Sequence, residues 1–411
     1  MKVYIETLGC KVNFADSAKI AALLSSQDHI ITNEPDKADI YIINSCSVTH
    51  RAERECRQIA RRLHIKNPDI DVIITGCSVL SPSFVERSVD IPFVKFVKTS
   101  DIPEFFKITP ETKLPPFYNR SRPFIKIQEG CDRFCSYCIV PHLRGRPKSI
   151  TQKEIISEIK DALQRGFQEI VLVGTHIMLY RDEESGTDIF NLLKKINDLD
   201  GNFRIRLSSI EPYGLSEYNI RLFSTINRLC AHFHISLQSG SNKILKDMNR
   251  HYTTNDFRNI VYNIKTYIPE ATIGSDIITG FPSEDNNDFE ETIRFISGEP
   301  IDYLHIFRFS PRKGTPASSM RQVLTSEEIK RHSDILLKIS FEKRRDMIKK
   351  YLNKDMDVII TENSNKISGL THNYIKVILK KTDLIKGHLY RVNLKAINQD
   401  NTVTGEIYEG H

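Results

Sequence analysis

Apolar residues open the chain in three short runs, residues 3–8, 40–43 and 72–74, with helix-like spacing over residues 16–26 and 52–65 between them. Strand runs alternating with amphipathic helices predict a βαβαβ unit on a parallel sheet. A fourth run at residues 92–97 completes it. Right-handed crossovers bring the carboxyl ends of such strands to one edge, where open sheets of this kind hold ligands. The first three runs each lead into a cysteine, Cys10, Cys46 and Cys77. Thiols that repeat in register with the βα unit converge at that edge, where a metal group could bridge them. The alternative is that cysteine, a commonly buried residue, follows three strands by chance. Cys56 falls inside a helical segment and reads as packing.

Residues 99–123 are rich in proline and polar residues and read as a linker. Six further strand runs follow, at residues 124–128, 169–174, 204–210, 232–238, 272–279 and 303–309, with helical patterns in most gaps. Six βα repeats are two short of a closed eight-stranded barrel, so an open-sided barrel is expected, with room for a bulky substrate. Residues 326–351 form a long helix with a basic second half, and short strand candidates end the chain. These predict a small antiparallel barrel, similar in style to oligonucleotide-binding barrels, or else a plain β-domain that covers the larger barrel's opening. The fold class is therefore α/β. Its expected units are a parallel-sheet domain at residues 1–98, a linker at 99–123, an open six-unit barrel at 124–347 and a small β-barrel at 348–411.

Composition narrows the function classes. The 411 residues are 40% hydrophobic and 27% charged, which excludes a largely disordered chain. Neither a signal peptide nor a run approaching the ~18 apolar residues of a membrane span is visible, so a cytoplasmic protein is expected. A net charge of +6, from 58 basic and 52 acidic residues, permits an anionic partner without demanding one. In a reducing compartment the eight cysteines point to metals or catalysis rather than disulfides.

Cys131, Cys135 and Cys138 form C-x3-C-x2-C just after the first barrel strand, the catalytic face of such barrels. Three thiolates cannot fill four metal positions. Zinc would take a fourth ligand, for which His142 is available. An iron-sulfur cube would instead keep one iron vacant for substrate. With Tyr137 before the last cysteine, this loop resembles that of the radical S-adenosylmethionine enzymes. The resemblance implies a 4Fe-4S cluster on Cys131, Cys135 and Cys138, with S-adenosylmethionine on its open iron and reductive cleavage to a 5'-deoxyadenosyl radical.

The resemblance narrows to the methylthiotransferases and covers essentially the whole chain. It is carried by TLGCKVN, NSCSVTHRAE and TGC in the first domain, then by CIVPHLRGRPKS, RLSSIEP, HISLQSGSNKIL, MNRHYTT, GSDIITGFPSE and FRFSPRKGTPA. That family joins a three-cysteine domain to the radical barrel and a small RNA-binding barrel of the TRAM type. Lys-Val-Asn after Cys10 and the SSIEP segment resemble its MtaB-like branch. That branch adds a methylthio group to carbon 2 of N6-threonylcarbamoyladenosine beside the tRNA anticodon. The alternatives within the family are isopentenyladenosine in tRNA and a ribosomal-protein aspartate. His176, where asparagine is common, and Ser-Val-Leu after Cys77 depart from the family pattern.

The resemblance further implies that Cys10, Cys46 and Cys77 hold a second 4Fe-4S cluster that bears the sulfur. One S-adenosylmethionine methylates that sulfur and another generates the radical. Carbon 2 of adenine has no acidic proton, so the cofactor carries the difficult step. An external donor such as a flavodoxin or ferredoxin is implied, and the first domain is expected to cap the barrel mouth. Around the cofactor stand Gly174, Thr175, Ser209, Glu211, Gln238, Asp276 and Gly280, all at or near strand ends. RNA affinity calls for cations: Arg144, Arg146 and Lys148 after the cysteine loop, Arg308, Arg312 and Lys313 at the last strand, and the basic helix at residues 343–350. The threonylcarbamoyl carboxylate is expected to pair with an arginine of the first two groups. His232, His234 and Cys230 read as packed residues.

Overall fold

The computed structural model describes residues 1–108, 120–363, 367–380 and 383–407. The middle of the predicted linker and parts of the predicted last strands thus lie outside the described residues. Strands β1 (Lys2–Thr7), β2 (Ile30–Ile31), β3 (Ile40–Ser45), β4 (Asp71–Gly76) and β5 (Val94–Phe96) pair in parallel in the order β2-β1-β3-β4-β5. β3 is buried throughout, as a central strand covered on both faces should be. The helix Lys11–Ser25 packs Ile20, Leu23 and Leu24 on one face of the sheet, against Val3, Ile42 and Ile73. The helix His50–Lys66, capped by Thr49, packs Cys56 and Ala60 on the other, against Ile43 and Ile74. The strand order reverses between β1 and β3, the position at whose carboxyl ends such sheets hold ligands. Ile102 and Ile108, at the start of the predicted linker, belong to this core, because a short helix there folds back on the sheet.

Strands β6 (Phe124–Glu129), β7 (Lys148–Ser149), β8 (Glu169–Gly174), β9 (Arg204–Leu207), β10 (His232–His234), β11 (Thr272–Thr279) and β12 (Tyr303–Arg308) build the barrel. β7-β6-β8-β9 and β10-β11-β12 form two sheets, joined by bridges between Ile205 and Leu229 and between Ile210 and Ile235. Among the described residues β6 and β12 do not pair, so the barrel is open on that side. β9 and β10 end before the predicted residues 210 and 238. Their ladder continues irregularly, with Ile210 N donating to His234 O at 2.7 Å, and Gln238 turns the chain aside at φ +73°.

The helix Ser326–Lys349 lies along β12 and leads into β13 (Asp355–Asn363), β14 (Ile367–Thr371), β15 (Lys376–Leu379), β16 (Leu389–Ile397) and β17 (Val403–Ile407). These close in the order β13-β14-β15-β17-β16, antiparallel except for the β15–β17 pair. The small barrel lies under the amino ends of the larger barrel's strands, where it covers that end of the lumen. Glu169, fully buried, accepts from Arg122, Arg204 and Arg206 at 2.6–3.2 Å. Arg204 and Arg206 go on to the carbonyls of Asp357, Leu370, Thr371 and His372 at 2.8–3.1 Å. Tyr374 stacks on His232 with ring centroids 4.2 Å apart. The basic helix is drawn into the same joint: Lys343, Arg344 and Arg345 donate to the carbonyls of Glu299, Tyr374 and Asn398.

Candidate active site

β1, β3 and β4 deliver Cys10, Cys46 and Cys77 to one edge of the first sheet. Asn13, fully buried one turn into the helix after Cys10, marks where they meet. Its Oδ1 lies 3.5 Å from Cys10 Sγ and 3.9 Å from Cys77 Sγ, while its Nδ2 donates to the carbonyls of Leu8 and Ser45. Gly9 has φ +106°, and a Cβ there would stand 2.5 Å from Cys46 Cβ and 2.9 Å from its sulfur, so only glycine lets the loops close. Burial pushes the Cys46 thiol up to about 12, and the neighbouring Cys77 and Cys10 add to the shift. Thiols crowded in a desolvated space hold their protons until a cation neutralises them, so the donor set fits a metal group bound through thiolates.

The second trio follows β6. Burial, then the neighbouring Cys135, pushes the Cys138 thiol up to about 12. Among the described residues, only His234, Asp276 and His305 bring three ligating atoms within 4.8 Å of one another. Neither cysteine trio is that tight, whereas zinc bonds of ~2.3 Å draw sulfurs to within ~4 Å. The spread fits a cluster rather than a single ion. His142, the fourth ligand that zinc would need, is exposed and packs edge-on against Phe134.

Beside Cys135 opens a cleft of about 510 Å³, lined by Arg133, His176, Glu211, Tyr213 and Arg250 among others. Arg250 donates to Cys135 Sγ at 3.3 Å, to Glu211 and to the Ser236 carbonyl. His176 is 2% exposed and both its ring nitrogens lack a partner. Burial, followed by the charges of Arg133 and Arg250, lowers its pKa to about 4. Orphaned nitrogens at a cleft beside the cysteine loop fit a polar cofactor.

Two sets of ion pairs seat the first sheet over the carboxyl ends of the barrel strands. Arg144, on the short helix after the cysteine loop, donates to Cys77 Sγ at 3.2 Å, Asn13 Oδ1 at 3.0 Å and Glu129 at 2.5 Å, and lies 3.3 Å from Asp16. Lys126 bridges the same two acids, at 2.5 Å to Asp16 and 2.8 Å to Glu129. At the other side Arg312 pairs with buried Glu53, which also holds Arg87 at 3.2 Å, and Arg312 donates to Ser47 beside Cys46. Two barrel arginines thus reach the loops of the first trio, while Arg250 reaches Cys135 of the second.

A model of the Radical SAM superfamily matches residues 125–296, and one of the uncharacterized protein family UPF0004 matches residues 2–86. The threonylcarbamoyladenosine tRNA methylthiotransferase MtaB of Aquifex aeolicus is 33% identical over 92% of this chain and 96% of its own length. The chain belongs to the radical S-adenosylmethionine methylthiotransferases. A tRNA-2-methylthio-N(6)-dimethylallyladenosine synthase of Clostridium botulinum is 32% identical, over 98% and 96% of the two chains. Among solved structures, the radical S-adenosylmethionine methyltransferase TsrM of Kitasatospora setae shares the fold at a TM-score of 0.53 and 12% identity, over 77% of this chain and 74% of that one. As a radical S-adenosylmethionine enzyme, this methylthiotransferase uses that cofactor with a 4Fe-4S cluster.

The remaining sequence-predicted residues divide in this methylthiotransferase. Glu211 lines the cleft beside Cys135, alone among the residues expected around the cofactor. Gly174 ends β8 against the Gln128 carbonyl, Thr175 makes no side-chain hydrogen bond among the described residues, and Ser209 is exposed. Gly280 serves packing: its N–H donates to Glu284, and a Cβ would stand 2.5 Å from Ile329. Asp276 faces the lumen, held by His234. Arg144 pairs with Asp16 and Arg312 with Glu53, buried acids of the first sheet's domain, and Arg144 also pairs with Glu129 of β6. Arg146 and Arg308 are exposed. Cys56 and Cys230 are buried packing residues. Sequence reasoning passed over Asn13, Asp16, Glu129 and Arg250. The first and last of these stand inside the quoted segments TLGCKVN and MNRHYTT, which was the available signal.

Proposed function

We propose that this methylthiotransferase adds a methylthio group to carbon 2 of N6-threonylcarbamoyladenosine next to the anticodon of tRNA. Cys131, Cys135 and Cys138 are assigned the cluster that binds S-adenosylmethionine, and Cys10, Cys46 and Cys77 a second 4Fe-4S cluster. When bound, these groups supply one-electron chemistry and sulfur at an unactivated ring carbon, which side chains cannot. The chain's own residues hold the two sites together. Arg144 and Arg312 fasten the cap, Arg250 braces the Cys135 loop, and His176 with Glu211 offers polar contacts in the cleft.

The observation that carries the choice of base is the polarity of the lumen wall, where His234, Asp276 and His305 stand side by side. A hydroxylated, polar substituent matches such a wall, whereas a dimethylallyl group would lay apolar surface against the Asp276 charge. An external low-potential donor such as a flavodoxin or ferredoxin supplies the electron, and the cytoplasm supplies the tRNA. Among the described residues no helix is long and apolar enough to cross a membrane. Mass spectrometry of tRNA nucleosides from a deletion strain tests the assignment. The methylthio form of threonylcarbamoyladenosine should vanish, and its persistence refutes the reading. Iron and sulfide for two cubes per reconstituted chain are expected; enough for one refutes the second cluster.

A further inference from the structure

The barrel's open side, where β6 and β12 do not pair, plays no part in the cysteine chemistry. The cap closes the carboxyl end of the lumen and the small barrel its amino end, so among the described residues the open side is the remaining way in. A cavity of about 400 Å³ lies there, lined by five cations, Arg120, Arg122, Arg344, Lys376 and Lys386, and by a single acid, Glu362. Arg120 and Arg122 lead into β6. Arg344 belongs to the helix along β12, and its guanidinium carbon stands 4.9 Å from the ring centroid of Tyr303, the first residue of that strand. Lys376 comes from β15 and Lys386 from the turn before β16. The cavity therefore spans both sides of the gap and the small barrel below it.

Its positive charge is only partly compensated. Arg122 donates to Glu169 at 2.9 Å, but Arg204 and Arg206 share that carboxylate, so it neutralises one charge of three. Arg344 donates to a neutral acceptor, the Tyr374 carbonyl, at 2.8 Å, and Lys376 lies 3.7 Å from Glu362. Arg120 and Lys386 are exposed and make no ion pair among the described residues.

A second cavity, of about 450 Å³, shares Arg120, Arg122 and Phe124 with the first and continues it to the cap, where Tyr4 and Glu6 of β1 and Phe14 of the following helix line it. The Arg120 guanidinium carbon stands 3.6 Å from the ring centroid of Phe14 and 5.2 Å from that of Phe124, at the junction of the two cavities. Glu6 accepts from the hydroxyls of Tyr41 at 3.0 Å and Tyr4 at 3.3 Å. One groove thus runs from the cap past the open side to the small barrel, aromatic at one end and cationic at the other. Single-stranded nucleic acid needs that combination, because cations track its phosphates while aromatic and guanidinium faces take its unstacked bases. The acidic face of a protein would satisfy the cations and leave the aromatic end empty.

We propose that this groove seats the anticodon loop of the tRNA, with backbone phosphates on Arg120, Lys376 and Lys386 and one unpaired base in the cavity beside Tyr4, an inference that rests on the tRNA reading above. The loop enters by the open side, and three units of the chain contribute to its seat.

The test is binding of the reconstituted holoenzyme to a tRNA anticodon stem-loop over a series of salt concentrations. Each phosphate contact on a single strand contributes about 0.7 to the slope of log K against log salt, which between 1 M and 0.1 M salt is about fivefold in affinity. Arg120→Gln and Lys386→Gln should each lower the slope by about that amount. Both side chains are exposed, so neither change opens a core. Tyr4→Leu removes a stacking face and no charge, and should weaken binding at an unchanged slope. Lys153→Gln, exposed on the helix Gln152–Gln164 outside the groove, is the control and should leave the slope as it is. A wild-type slope in either Arg120→Gln or Lys386→Gln overturns the inference, and so does an equal fall in Lys153→Gln, which would report net charge alone. Unchanged affinity in Tyr4→Leu overturns the placement of the base. Variants that keep the loop's affinity but lose turnover only when an acidic electron-carrier protein is the reductant assign the groove to that carrier and overturn the inference. A wild type that binds no anticodon stem-loop instead defeats the tRNA reading itself.

Discussion

Arg144→Met removes the one cation shared by the Cys77 edge, Asn13, Asp16 and Glu129. The arginine is 6% exposed and Asp16 is 4% exposed, so that pair is a buried one, while Glu129 is 37% exposed. Removing one partner of a buried pair costs about 3–5 kcal/mol, because the other charge is left uncompensated. Lys126 remains within 2.8 Å of both acids, which places the loss at the lower end, about 3 kcal/mol. The loss falls on the seat between cap and barrel rather than on either core. Amide hydrogen exchange reads it directly. Protection in residues 11–16 and 126–129 should fall by about a hundredfold, since each factor of ten is about 1.4 kcal/mol. Arg144→Lys keeps a charge near Asp16 but cannot reach four acceptors, and it should show an intermediate loss. Unchanged protection at the seat would refute the argument, as would a uniform rise in exchange across the chain, since that would make the effect global.

Three further outcomes are expected. Glu169→Gln leaves Arg122, Arg204 and Arg206 without their shared carboxylate. Proteolysis between residues 349 and 355 should become faster as the small barrel loosens, and an unchanged rate refutes that. Because His176 protonates only below about 4 when folded, against about 6.5 when unfolded, its contribution is complete above about pH 6.5 and declines as pH falls toward 4, by about 3 kcal/mol in all. Urea midpoints at pH 7 and 5 should differ less for His176→Asn than for the wild type. Cys135→Ala should abolish S-adenosylmethionine cleavage, measured as 5'-deoxyadenosine, while Cys46→Ala should leave cleavage intact and stop methylthio transfer. Equal loss of cleavage in both contradicts the division of roles.

The strands that could be read from the sequence were those whose burial is continuous. β8 and β11 match their predicted bounds because each is an almost wholly buried run of mostly apolar residues. β14 was missed because its sequence lacks a continuous apolar run. It too is buried, but Ser368 and Gly369 interrupt its apolar run, and a Cβ at Gly369 would stand 2.4 Å from Val358. β2 is two residues long, too short for any periodicity. The short helix after β5 looked like linker because its apolar residues are few, although Ile102 is wholly buried.

The cysteines were legible because their spacing repeats the βα unit. The charged residues were not, because a charge near a site has two physical uses that look identical in sequence. An arginine that meets a phosphate must stay exposed, while an arginine that fastens two domains must be buried and paired. Arg144 and Arg312 follow motif cysteines or strands in the manner of substrate ligands. Their partners Asp16 and Glu53 lie 128 and 259 residues away, a separation that no local pattern encodes.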